Sequence, residues 1–130
     1  MNDTTWTKPE IEHGKLTKWN WMVNYPESFV MGERVDIGAF CFIMAKFGVV
    51  IESDVQLGSG VKIFSQSTID GKQGPVMIHA RAKIGANSII MPGVTIGADA
   101  TVGACSFVNK DVPAGVVAWG QPVRVKRGTE

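Results

Sequence analysis

A branched aliphatic residue recurs at every sixth position through the C-terminal half of the chain: Ile78, Ile84, Ile90, Ile96, Val102 and Val108. Gly85, Gly97 and Gly103 directly follow three of them, and small or branched residues stand four places after each (Ala82, Ser88, Val94, Ala100, Ser106). Side chains on a helix repeat at 3.6 residues and on a strand at 2, so neither element alone gives this beat. A chain that turns a corner every six residues does. Upstream the same spacing holds through Met31, Ile37 and Ile43, and again through Ile51, Leu57, Ile63 and Ile69. It lapses around 47–50 and across 70–77, and such interruptions map to loops on one face of a repeat array.

Each hexad supplies a short strand and a turn. The leading aliphatic points inward, and the Gly or small residue fits a corner where a Cβ would crowd. Three hexads close a triangular coil of about 18 residues, so the chain holds roughly four to five coils. Stacked coils pair their backbones at about 4.8 Å around a continuous aliphatic column. A sandwich of short strands would show inward residues with period two instead.

The 130 residues are one domain, with a net charge of +1. The only basic cluster, Arg124–Arg127, does not suggest a nucleic-acid partner. No stretch approaches the roughly 20 apolar residues of a membrane span. The first five residues lack a secretion signal, so a cytoplasmic protein is expected, with Cys41 and Cys105 as free thiols. Two histidines are too few for a three-His zinc site, and no metal is expected. Residues 1–28, rich in Trp and without the beat, are expected to cap the solenoid. The β-helix is expected over 29–112, with a short C-terminal segment over 113–130.

The stretch from Ile84 to Gly97, then Val102 to Pro113, then Gly120-Gln-Pro-Val-Arg-Val-Lys126, resembles the hexapeptide-repeat acyltransferases. The pattern is nearest the maltose, galactoside and xenobiotic acetyltransferases and the sugar acetyltransferases of surface-polysaccharide pathways. The resemblance implies an all-β, left-handed parallel β-helix, a homotrimer with sites between subunits, and acetyl-CoA lying between coils. By motif position it maps cofactor contacts onto Ala86, Ala104, Asn109, Lys110, Arg124 and Arg127. Small residues with open backbone groups suit the thin pantetheine arm, and cations suit the phosphates. Each also has a plainer role: Ala86 and Ala104 as corner residues, Lys110 and the arginines as solvated surface. Trp119 is open between adenine stacking and packing.

The family's catalytic His is missing. Its place falls at Ser67 or Thr68, within Phe64-Ser-Gln-Ser-Thr-Ile-Asp70. His79 follows the interruption rather than preceding it, and His13 lies outside the repeat. Asp70 becomes a base at neutral pH only if burial raises its pKa from about 3.9. Catalytic candidates are therefore Asp70, Ser67 and His79. An amine bound in its neutral form needs orientation more than a base. The expected activity is acetyl-CoA-dependent acetylation of a sugar, with a nucleotide-linked amino sugar as acceptor. The alternative is a β-helix that has lost catalysis and serves for binding or scaffolding.

Overall fold

The computed structural model describes residues 5–128. They wind into about five stacked coils of a left-handed parallel β-helix. Coil one comprises β1 (Met22–Asn24), β2 (Phe29–Met31) and β3 (Asp36–Ile37), and coil two β4 (Phe42–Met44), β5 (Val49–Ile51) and β6 (Gln56–Leu57). Coil three opens with β7 (Lys62–Phe64), leaves the helix as a hairpin of β8 (Gln66–Ser67) and β9 (Lys72–Gln73), then resumes in β10 (Val76–Ile78) and β11 (Lys83–Ile84). Coil four holds β12 (Ile89–Ile90), β13 (Thr95–Ile96) and β14 (Thr101–Val102). Coil five holds β15 (Phe107–Val108) and β16 (Val117–Trp119), after which β17 (Arg124–Arg127) folds back antiparallel on β16.

Three parallel faces result. Face one stacks β1-β4-β7-β12-β15, face two β2-β5-β10-β13, and face three β3-β6-β11-β14-β16 with β17 at its edge. Inward residues align coil upon coil. Ile90 pairs with Val108 after 18 residues, but Ile43 pairs with Ile63 after 20 and Ile63 with Ile90 after 27. The surplus residues all leave from the corner between faces one and two, at Ala45–Gly48 and at the hairpin. The beat thus survives because its interruptions are confined to one edge.

Val23, Ile43, Ile63, Ile90 and Val108 are fully buried on face one, matched by Ile51, Ile78 and Ile96 on face two. β-branched side chains fit this extended, close-packed column. Ser65, Ser88 and Ser106 are buried at corners, each with its hydroxyl donating to a backbone carbonyl (Met44, Gly103 and Gly103). A Cβ at Gly58 would lie 2.6 Å from the Ala86 nitrogen, so the corner of one coil nearly touches the next.

N-terminal to coil one, Thr17 and Trp21 are buried, whereas Leu16 and Trp19 are exposed. Trp21 joins the core, and the Trp6 indole N–H donates to the Val35 carbonyl at 3.4 Å. Of this segment, Trp21 and Thr17 are the residues that pack at the start of the first coil.

Ile63→Ala removes a fully buried side chain at the middle of the column, where the stacked coils cannot collapse inward. It is expected to cost about 2–5 kcal/mol, read as a lowered midpoint in urea unfolding.

Candidate active site

The β8–β9 hairpin pairs Gln66 with Gln73 and Ser67 with Lys72 and carries Asp70 near its tip. The Asp70 carboxylate accepts from the Ser67 hydroxyl and from the Lys72 N–H at 3.3 Å, with the Lys72 ammonium 3.8 Å away. The Ser67 hydrogen bond is the main cause holding this carboxyl below the usual carboxylate range. Asp70 is also exposed. The burial that would turn it into a general base is absent, and at neutral pH it is an ionised acceptor suited to an N–H or ammonium group.

His79 stands at the other end of β10, on the corner between faces two and three. Its Nδ1 is 3.0 Å from Glu52 Oε1, and the same oxygen accepts the Ala80 N–H at 3.1 Å. The structure therefore separates His79 from Ser67 and Asp70 by the length of that strand. Glu52 was legible only in retrospect: it and His79 each follow the leading Ile of a face-two strand, one coil apart. His13 Nδ1 accepts the Tyr25 N–H at 2.8 Å and its ring packs edge-on against Tyr25, which explains this histidine structurally.

Ala86 and Ala104 lie one above the other at the corner between faces three and one, tied by the Cys105 N–H donating to the Ala86 carbonyl at 2.9 Å. Beside them, over face one, an open groove of about 710 Å³ is lined by Asn87, Ile89, Cys105, Phe107, Asn109, Gln121 and Pro122 among others. Asn109 lines this groove, whereas Ala86 and Ala104 stand beside it and not in its lining. Lys110 is exposed at the opposite edge of face one, where the neighbouring Asp111 carboxylate accepts the Thr95 N–H at 2.8 Å.

Arg124 and Arg127 lie on β17, paired with Trp119 and Val117 respectively. The ladder shifts register between Val117 and Ala118, leaving Lys126 as an extra residue, so Arg124 and Arg127 share the side of Trp119 and Val117 opposite them. The Lys126 ammonium is 5.4 Å from the Trp119 ring centroid. Trp119 in turn packs beside Gly103, where an added Cβ would be 2.8 Å from its own Cβ, next to Ala104. Lys126, the bulged residue between Val125 and Arg127, is a cation that motif matching passed over. No group of three or more His, Cys, Asp or Glu among the described residues is placed to hold a metal ion. No helix among them is long and apolar enough to cross a membrane.

Residues 75–110 match the bacterial transferase hexapeptide (six repeats) family. The chain is 30% identical over 149 aligned positions to a galactoside O-acetyltransferase of Lactococcus lactis, covering 98% of this chain and 72% of that protein. It is 48% identical to the putative acetyltransferase YvoF of Bacillus subtilis, over 86% of this chain and 57% of that one. A hexapeptide-repeat acetyltransferase of Vibrio cholerae, solved in complex with acetyl coenzyme A, superimposes with a TM-score of 0.78 at 25% identity, covering 85% of this chain and 65% of that one.

The chain belongs to the hexapeptide-repeat acetyltransferase family.

Cys105, exposed at the groove, is expected to react with a thiol reagent in the native protein. Cys41 is buried, its Sγ–H donates to the Gly58 carbonyl at 3.2 Å, and burial pushes its thiol pKa up, so it should react only on unfolding. Mass mapping of the labelled peptides distinguishes the two.

Proposed function

We propose that the protein is an acetyl-CoA-dependent N-acetyltransferase whose acceptor is the amine of a nucleotide-linked amino sugar of surface-polysaccharide biosynthesis. The observation that carries this reading is the Ser67–Asp70 pair. In place of an imidazole, the hairpin presents an ionised carboxylate that can accept from an amine and stabilise the positive charge developing on it. The neutral amine attacks the thioester carbonyl, the C–S bond breaks as the amide forms, and the proton shed by nitrogen ends on the departing thiolate. Orientation supplies much of the barrier reduction.

Acetyl-CoA is the donor that the family membership and the Vibrio cholerae complex support. Ala86, Ala104 and Asn109 are assigned to the pantetheine arm. Arg124, Arg127 and Lys110 are assigned to the phosphates, with Lys126 between the two arginines on β17.

The hairpin and the Ala86–Ala104 corner lie at opposite edges of face one, so one chain does not bring amine and thioester together. A cyclic homotrimer in which one edge of face one meets the other edge of the next copy does. The outward side of that face supports such contact: Phe42, Met44, Phe64, Ile89, Met91 and Phe107 are all half-buried there in the isolated chain. In such a trimer Lys110 also approaches the neighbour's corner. Free Cys41 and Cys105 suit a reducing cytoplasm, where we place the protein.

A hydroxyl acceptor is the second reading, and the Glu52–His79 pair favours it, since a hydroxyl needs a base and this imidazole is the one an acid orients.

Acetyl-CoA should raise the melting temperature, as binding to the native state requires; no shift would support the scaffold alternative. Asp70→Asn and Ser67→Ala are expected to lower kcat/KM for the amino sugar about 10- to 150-fold, the worth of a hydrogen bond to a charged group, with the KM for acetyl-CoA unchanged. His79→Gln should stay near wild type. Loss of activity in His79→Gln with Asp70→Asn intact would favour the hydroxyl reading.

A further inference from the structure

At the corner between faces three and one, a single residue per coil adopts a left-handed backbone: Asn20 at φ 66°, Phe40 at 64°, Gly60 at 74°, Asn87 at 61° and Cys105 at 60°. Gly and Asn are the residues that tolerate this conformation, and a bulky aromatic is an outlier in it. Phe40 is not rewarded by burial either, being 67% exposed. A strained, solvent-facing ring at a position that glycine would fill without cost suggests a role for the ring itself.

Its surroundings point to a ligand. The Phe40 N–H donates to the Asn20 carbonyl at 2.6 Å, which sets Trp19, itself 42% exposed, beside the Phe40 corner. The Lys18 ammonium lies 4.6 Å from the Trp19 ring centroid. An open groove lined by Lys8, Lys15, Lys18 and Trp19 runs between residues 7–12 and 15–19. Glu10 and Glu12 also line it, and Lys15 is taken up by Glu12 at 3.0 Å, which leaves Lys8 and Lys18 as the cations against Glu10. Phe40 stands two coils from Asn87 along the same corner, roughly 10 Å at 4.8 Å per coil.

We infer that Trp19 and Phe40 stack the base, and Lys18 binds the diphosphate, of a nucleoside diphosphate carried by the acceptor sugar. The inference rests on the acetyltransferase proposed above and adds the part of the acceptor that this end of the solenoid recognises. Aromatic faces with an adjoining cation suit a nucleotide better than a bare sugar, since every base has a π-face and the phosphates need positive charge. Donor and acceptor would then approach one corner from opposite ends, acetyl-CoA from coil five and the nucleotide from coil one.

The test is calorimetric titration of the full chain with UDP and with dTDP, and separately with acetyl-CoA. Phe40→Gly is the informative variant, because glycine relieves the left-handed strain and keeps the fold. Its melting temperature should be equal or higher, while nucleotide affinity falls at least 10-fold and acetyl-CoA affinity does not change. Trp19→Ala should behave likewise, and Lys18→Ala should weaken binding and flatten its salt dependence. Absence of binding to both nucleotides overturns the inference. So does wild-type affinity in Phe40→Gly, a free amino sugar accepted as well as its nucleotide-linked form, or a fall in oligomer mass in Phe40→Gly, which would make the patch a subunit contact. Acetyl-CoA binding without nucleotide binding sinks this inference alone. Nucleotide binding without acetyl-CoA binding sinks the proposed activity and leaves the subsite standing.

Discussion

Everything in this molecule hangs on how closely one coil approaches the next at its corners. Successive backbones stack at about 4.8 Å, and at Gly32, Gly38 and Gly58 an added Cβ would fall within 2.6 Å of a backbone nitrogen in the coil above. The residue after each strand must therefore be small or be steered outward, and a left-handed residue two places on lets the chain turn. Once these two positions are met, the inward aliphatic of each hexad has nowhere to go but the central column. Stability follows from that column, and the corners decide what is left for chemistry.

The corners carry different duties. Between faces two and three, left-handed Arg34, Asp54, Arg81 and Asp99 succeed one another coil by coil, with Arg34–Asp54 and Arg81–Asp99 paired at 2.8 Å. Such exposed pairs add little stability, but their alternating sign favours the register in which each coil sits. Between faces three and one the corresponding residues are neutral, which leaves a groove with open backbone groups. Between faces one and two the chain releases its extra residues, and the hairpin is the largest of them.

The inward column and the hexad length were legible in the sequence because both depend on a single property, the aliphatic side chain repeated at fixed spacing. The turn residues were less so. Asn87 and Asp99 are ordinary occupants of a left-handed position, but Phe40, Arg34 and Arg81 are not, and only the stacking of corners forces them there. The candidate site was legible as a set of residues and not as an arrangement. Motif spacing named Ala86, Ala104 and Lys110 together, yet a triangular coil sends Lys110 to a different edge from the other two. Ser67 and Asp70 were visible as neighbours, but their hydrogen bond depends on the β8–β9 pairing, which has no aliphatic alternation to announce it.

That separation is also what ties the proposed catalysis to the proposed assembly. A β-helix coil is only about three short strands around, so its corners are close, but each points away from the other two. Groups on two corners cannot converge on one small molecule without a second surface facing them. Side chains facing outward from face one, such as Phe42, Phe64 and Phe107, make that surface apolar, and in the proposed trimer its burial would set the hairpin edge of one chain beside the alanine corner of the next. The hydrophobic effect that fills the interior would then also drive the contact that the proposed reaction needs, a donor on one chain meeting an amine held by its neighbour.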